Sequence, residues 1–74
     1  MIRMGSTWEE SAGRRIGVVC RYSVGFEDSH EITLRHDSPA MPAGAGVYSY
    51  MSPEELTEGW RCVEEGTGVE VWRG

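Results

Sequence analysis

The sequence predicts one small, mainly β domain of five short strands, with a one-turn helix near residues 53–58. Three observations predict it. Apolar and polar residues alternate with period two over residues 15–22 and again over 30–36. Turn-forming residues divide the chain at short intervals. The one strong helix-start signal, Ser52-Pro53-Glu54-Glu55, comes late and leaves room for only a turn or two. The chain has 74 residues, 39% of them hydrophobic, with three Trp, three Tyr and one Phe. That is enough for one core, and it argues against disorder.

In the first strand Ile16, Val18, Cys20 and Tyr22 share one face, opposite Arg15, Gly17, Val19 and Arg21. Strict alternation predicts that the first set is the buried one. A polar turn over residues 25–29 leads to a second strand. There His30, Ile32, Leu34 and His36 share a face, opposite Glu31, Thr33 and Arg35. The two strands read as a hairpin. Residues 37–46 hold two Pro, two Gly and three Ala without periodicity and read as an exposed loop. Residues 47–51 form a third strand, with Tyr48 and Tyr50 opposite Val47, Ser49 and Met51.

Ser52 is the expected N-cap, Pro53 the first helical residue and Glu55 the reciprocal partner of a capping box. Met51 and Leu56 hold the two places of a hydrophobic staple, and Gly59 the place of a left-handed terminator. The last two strands, over residues 60–64 and 69–73, read as a hairpin about Gly66-Thr67. In that register Cys62 faces Val71, Val63 faces Glu70, and Arg61 stacks on Trp72 as a cation–π pair. The whole chain reads as one domain, with residues 1–7 left open to disorder.

The order of elements resembles the small barrels of the Src-homology-three and Tudor type, including small proteins of phage and high-GC bacteria. The resemblance runs from Gly5-Ser6-Thr7-Trp8 through Gly13-Arg14-Arg15-Ile16-Gly17-Val18-Val19 to Ser52-Pro53-Glu54-Glu55-Leu56 and Trp60-Arg61-Cys62-Val63. It lies in layout and not in a diagnostic motif. It implies a five-stranded antiparallel barrel that serves as a binding or assembly module and not as an enzyme. Codon-linked composition bears on origin and not on function: every basic residue is Arg and Lys, Asn and Gln are absent, which points to a high-GC genome.

Charge narrows the partners. Residues 1–50 carry five Arg against six acids, whereas residues 51–74 carry two Arg against six Glu, so −4 of the net −5 lies in the last third. No run of cations suits a duplex backbone, which disfavours duplex nucleic acid. No apolar run is long enough to cross a bilayer, and no secretory signal opens the chain. The expected location is cytoplasmic, in the host cytoplasm if the protein is phage-encoded.

Candidate chemistry is sparse. Cys20 and Cys62 match no zinc-finger or C-x-x-C spacing. They read as buried free thiols, with a disulfide or a zinc site completed by His30 and His36 as alternatives. A Ser-His-Asp set can be drawn from His30 or His36, Asp28 or Asp37, and Ser29, Ser38 or Ser49, but no nucleophile-elbow signature supports it. The Gly44-Ala45-Gly46 fragment precedes a strand and not a helix, so it is no phosphate cradle. No cofactor is expected.

The aromatics are numerous for this size, and the third strand must leave one of its faces exposed. The expected function is therefore non-enzymatic recognition of a protein or peptide, with Tyr48, Tyr50, Met41, Trp72, Arg61, Glu64 and Glu65 as candidate contacts. Exposed aromatics beside carboxylates suit a ligand rich in Arg, Lys or Pro. Self-association through an open strand edge is a related expectation. The alternatives are an acidic inhibitor that imitates nucleic acid through the Glu residues of 54–70 and, remotely, a zinc-assisted hydrolase.

Overall fold

The computed structural model describes residues 1–13, 15–36 and 47–74. Among these the chain forms seven strands and one α-helix: β1 (Ile2–Arg3), β2 (Thr7–Glu10), β3 (Ile16–Val24), β4 (His30–His36), β5 (Val47–Met51), α1 (Pro53–Gly59), β6 (Trp60–Glu64) and β7 (Glu70–Trp72). A single 3-10 turn, Phe26–Asp28, joins β3 to β4. The larger sheet is antiparallel, with strand order β5-β4-β3-β2-β6; β1 and β7 form a separate two-stranded ribbon. Strands β5 and β6 are the edges of the larger sheet and do not pair with each other, so the sheet stays open. The mainly β class and the hairpin of β3 with β4 follow the alternation in the sequence. The expected loop over residues 37–46 lies outside the described residues.

The core lies on one face of the large sheet. Ile32 and Leu34 of β4 are fully buried there, together with Val19, Trp8, Trp60, Leu56 and Ile2. Helix α1 and the β1–β7 ribbon cover this face, which explains why Leu56 and Ile2 each have 0% exposure. Residues 1–7 are thus built into the fold. Gly5 N–H donates to the Val19 carbonyl and Val19 N–H to the Ser6 carbonyl, both at 2.9 Å. The buried Trp8 Nε1–H donates to Ser6 Oγ at 2.8 Å, and that hydroxyl donates to the Arg3 carbonyl at 2.6 Å. The indole can therefore be buried without an orphaned donor.

The facing of β3 differs from its alternation. Ile16 is 50% exposed, whereas Val19, assigned to the opposite face, is 1% exposed. The register explains both. Val19 pairs with Leu34 and Tyr22 with Ile32, so three steps on β3 match two on β4, and a bulge at Cys20 absorbs the extra residue. A side chain that would otherwise reverse its face is brought back, and Val19 and Tyr22 both meet the core. Gly17 completes the inward set. It lies opposite Trp8, and a Cβ there would stand 2.9 Å from Leu34 Cβ and 3.1 Å from the His36 ring. Only glycine leaves room for those two side chains at that height of the sheet.

The last two strands do not form a hairpin. β6 pairs with β2, Trp8 facing Cys62 and Glu9 facing Arg61, while β7 pairs with β1, Ile2 facing Trp72. Gly66 takes a left-handed φ of 70°, as a turn there needs, but the turn redirects the chain away from β6. The predicted Arg61–Trp72 stack is absent for the same reason. Trp72 packs edge-on against His30, at 5.0 Å between centroids, and Arg61 pairs with Glu9.

The helix start behaves as read: Ser52 Oγ accepts from Glu55 N–H at 3.2 Å. The reciprocal arm is a hydroxyl-to-carboxylate contact, Ser52 Oγ to Glu55 Oε1 at 3.5 Å. Gly59 is not left-handed, since positive φ among glycines occurs at Gly5, Gly66 and Gly74. The helix instead ends as Trp60 turns extended, with its N–H on the Leu56 carbonyl.

The bulge predicts unequal costs on one strand. Val19→Ala should lower unfolding free energy by about 2 kcal/mol, through lost burial and a residual cavity. Ile16→Ala should change it by less than about 0.5 kcal/mol. Urea denaturation of the two variants checks the assignment, and equal costs would contradict it.

Candidate functional site

The edge strand β5 carries two of the seven sequence-predicted contact residues, Tyr48 and Tyr50. Tyr48 faces Arg35 and Tyr50 faces Thr33, so both tyrosines point away from the core side, and they are 47% and 63% exposed. Arg21 lies beyond Thr33 in the same row and Val18 beyond Arg35. The opposite side of β5 carries Ser49 and Met51, in register with Leu34 and Ile32 on the core face. β5 is thus a five-residue uncharged strand, with no partner on its outer side among the described residues.

Beside β5, a cavity of about 640 Å³ is walled by β5, α1, the end of β2 with Ala12 and Arg15 after it, and Trp60 at the start of β6. A polar cluster organises its wall. Arg15 donates through Nη2 and Nε to the Glu10 carboxylate at 2.7 and 3.1 Å, and Nη1 reaches Ser49 Oγ at 3.5 Å. Its guanidinium carbon stands 5.5 Å from the Trp60 ring centroid, as a cation–π contact. His36 Nε2 and Ser49 Oγ are 2.7 Å apart, while His36 Nδ1 lies 2.8 Å from the Ile16 carbonyl. Because a carbonyl only accepts, Nδ1 carries the proton, and in the neutral ring Nε2 accepts from Ser49. Glu55 and Glu58, one turn apart on α1, line the same cavity.

The Arg15 hydrogen bonds hold the Glu10 carboxyl below its ordinary range, with the guanidinium charge adding to the effect; Arg15 is raised in turn. Sequence reading missed this cluster, although an acid and an arginine flanking the Ser11-Ala12-Gly13 turn were a legible signal. The meeting of His36, Ser49 and Trp60 had none, since it depends on strand order.

The remaining candidates are dispersed. Arg61 and Glu64 lie on β6, at the other edge of the sheet, with Glu65 following. Along the sheet, β4, β3 and β2 stand between that edge and the strand of Tyr48 and Tyr50. Trp72 is half-buried against His30, and Met41 lies outside the described residues. Among the acids of 54–70, Glu54, Glu55, Glu58, Glu64 and Glu65 are exposed, and Glu70 is paired with Arg73.

The chemistry drawn from His, Cys and Ser is also divided. Cys20 and Cys62 are both free, one half-buried and one exposed, so the buried-thiol expectation does not hold for Cys62. Its side of β6 is not covered by β7. His30 is hydrogen-bonded to the Tyr22 hydroxyl, and His36 to Ser49. Among the described residues no group of three or more His, Cys, Asp or Glu side chains is placed to hold a metal ion. Asp37 and Ser38 lie outside the described residues. No helix among the described residues is long and apolar enough to cross a membrane. No protein-family model, curated protein or solved structure matches the chain.

The Glu10–Arg15 pair sets a pH dependence. A carboxyl depressed in the folded state contributes stability above its unfolded pKa and loses it as pH falls through the folded value, so the loss runs from about pH 5 downward. Glu10→Gln should flatten that acid limb while leaving the limb above pH 7 unchanged. Thermal melts from about pH 9 to pH 3 measure it, and an unchanged acid limb would refute the role of the pair.

Proposed function

We propose that the protein is a non-enzymatic interaction module that takes an extended segment of a partner as an added strand along β5. The observation that supports this most is the uncharged Val47–Met51 strand, whose outer side has no partner among the described residues and which shows both tyrosines to solvent. An unpaired strand edge offers a row of backbone donors and acceptors, and strand addition satisfies them. Exposed tyrosines beside the edge supply side-chain contact at low entropic cost. The likeness to Src-homology-three modules enters this proposal at the level of use, recognition of extended peptides, and not as a closed barrel.

The test is a titration of isotope-labelled protein with an uncharged, blocked nonapeptide of Thr, Ser and Val. Amide shifts should concentrate on Val47–Met51 and its neighbours on β4. The double variant Tyr48→Ala with Tyr50→Ala should bind at least about tenfold more weakly. Shifts confined to β6, or none with any extended peptide, would refute the reading.

A further inference from the structure

On a strand added to β5, alternate side chains face opposite sides of the sheet. One set lies on the side of Tyr48 and Tyr50. The other lies on the side of Ser49 and Met51, the side that opens on the 640 Å³ cavity. Among the described residues that cavity carries three carboxylates, Glu10, Glu55 and Glu58, against one guanidinium, Arg15. Arg15 uses Glu10, and among the described residues Glu55 is engaged through the Ser52 hydroxyl and its own backbone cap. Within the cavity a guanidinium already sits between an indole face, a carboxylate and a serine hydroxyl, so the walls are chemically suited to that group.

We infer that the segment received by β5 is cationic, with Arg or Lys at alternate positions that enter the cavity and pair with Glu55 and Glu58. This rests on the strand-addition reading above and names the chemistry of its partner. The charge of the cavity selects the occupant. An acidic segment would meet two carboxylates without compensation, and proline at successive positions would lack the N–H groups that the edge needs. A second copy of this chain offers either its own β5, which has no charge in Val47–Met51, or β6, whose one cation, Arg61, is already paired with Glu9, so neither brings alternate cations to Glu55 and Glu58.

The experiment compares three blocked nonapeptides on the full chain: the uncharged Thr/Ser/Val peptide, the same peptide with Arg at alternate positions, and its Glu counterpart. The Arg peptide should bind about tenfold more tightly than the uncharged one, with shifts on both β5 and α1, and the Glu peptide should not bind. Glu55→Gln with Glu58→Gln should remove the Arg advantage while leaving the uncharged peptide unaffected, and raising the salt should erode it. Retention of the native amide spectrum by that variant separates a lost ion pair from a lost fold. Equal binding of all three peptides at β5 would overturn the inference while leaving strand addition standing. Failure of all three to bind at β5 would overturn both. Concentration-dependent dimerisation through β5, seen by light scattering, would replace the cationic segment with a second copy.

Discussion

One-sided burial of β4 is the constraint on which the rest of the structure depends. Ile32 and Leu34 exclude water on a single face, and every other element is positioned by the need to cover them. Helix α1 brings Leu56, the amino-terminal ribbon brings Ile2, and β2 and β6 bring Trp8 and Trp60. In so short a chain the apolar area is limited, and two tryptophans and a few aliphatic residues supply much of it. The opposite face carries Tyr48, Tyr50, Arg21 and Arg35, and among the described residues no further layer covers it.

That economy explains the bulge. β3 must place Gly17, Val19 and Tyr22 toward the core, and a regular strand cannot put both 19 and 22 on one face. The extra residue at Cys20 reconciles the two halves, so the strand serves Leu34 and Ile32 in succession. It also leaves Ile16 at the surface beside the Glu10–Arg15 pair, where its carbonyl orients His36. A packing correction in the middle of a strand thus sets a polar contact at its end.

The ribbon of β1 and β7 has a comparable consequence. Since β7 leaves β6 to pair with β1, the core is covered from the amino-terminal side, and β6 becomes an edge with Cys62, Val63 and Glu64 exposed. Both edges of the large sheet are therefore open among the described residues, but they differ in chemistry. β6 carries Arg61 and Glu64 within its five residues, which discourages indiscriminate pairing. β5 carries no charge, and it lies between the tyrosines on one side and the cavity with the carboxylates of α1 on the other.

The amino-acid sequence by itself determined what short-range chemistry can specify. Period-two alternation marked β3 and β4 but not the short β1 and β2, the Ser52-Pro53-Glu54-Glu55 signal marked the helix start, and the run with Tyr48 and Tyr50 marked a strand with one face to spare. Those signals lie within a few residues of one another, and local sterics and capping act over that range. Tertiary structure decided which face of β3 is buried, which partner each late strand takes, and that Arg15, Trp60, His36 and Ser49 meet. Each of these depends on pairing between segments far apart in the chain, where a one-residue slip reverses every side chain. A bulge and a change of partner leave no trace in alternation, because they are set by how the whole core closes over Ile32 and Leu34.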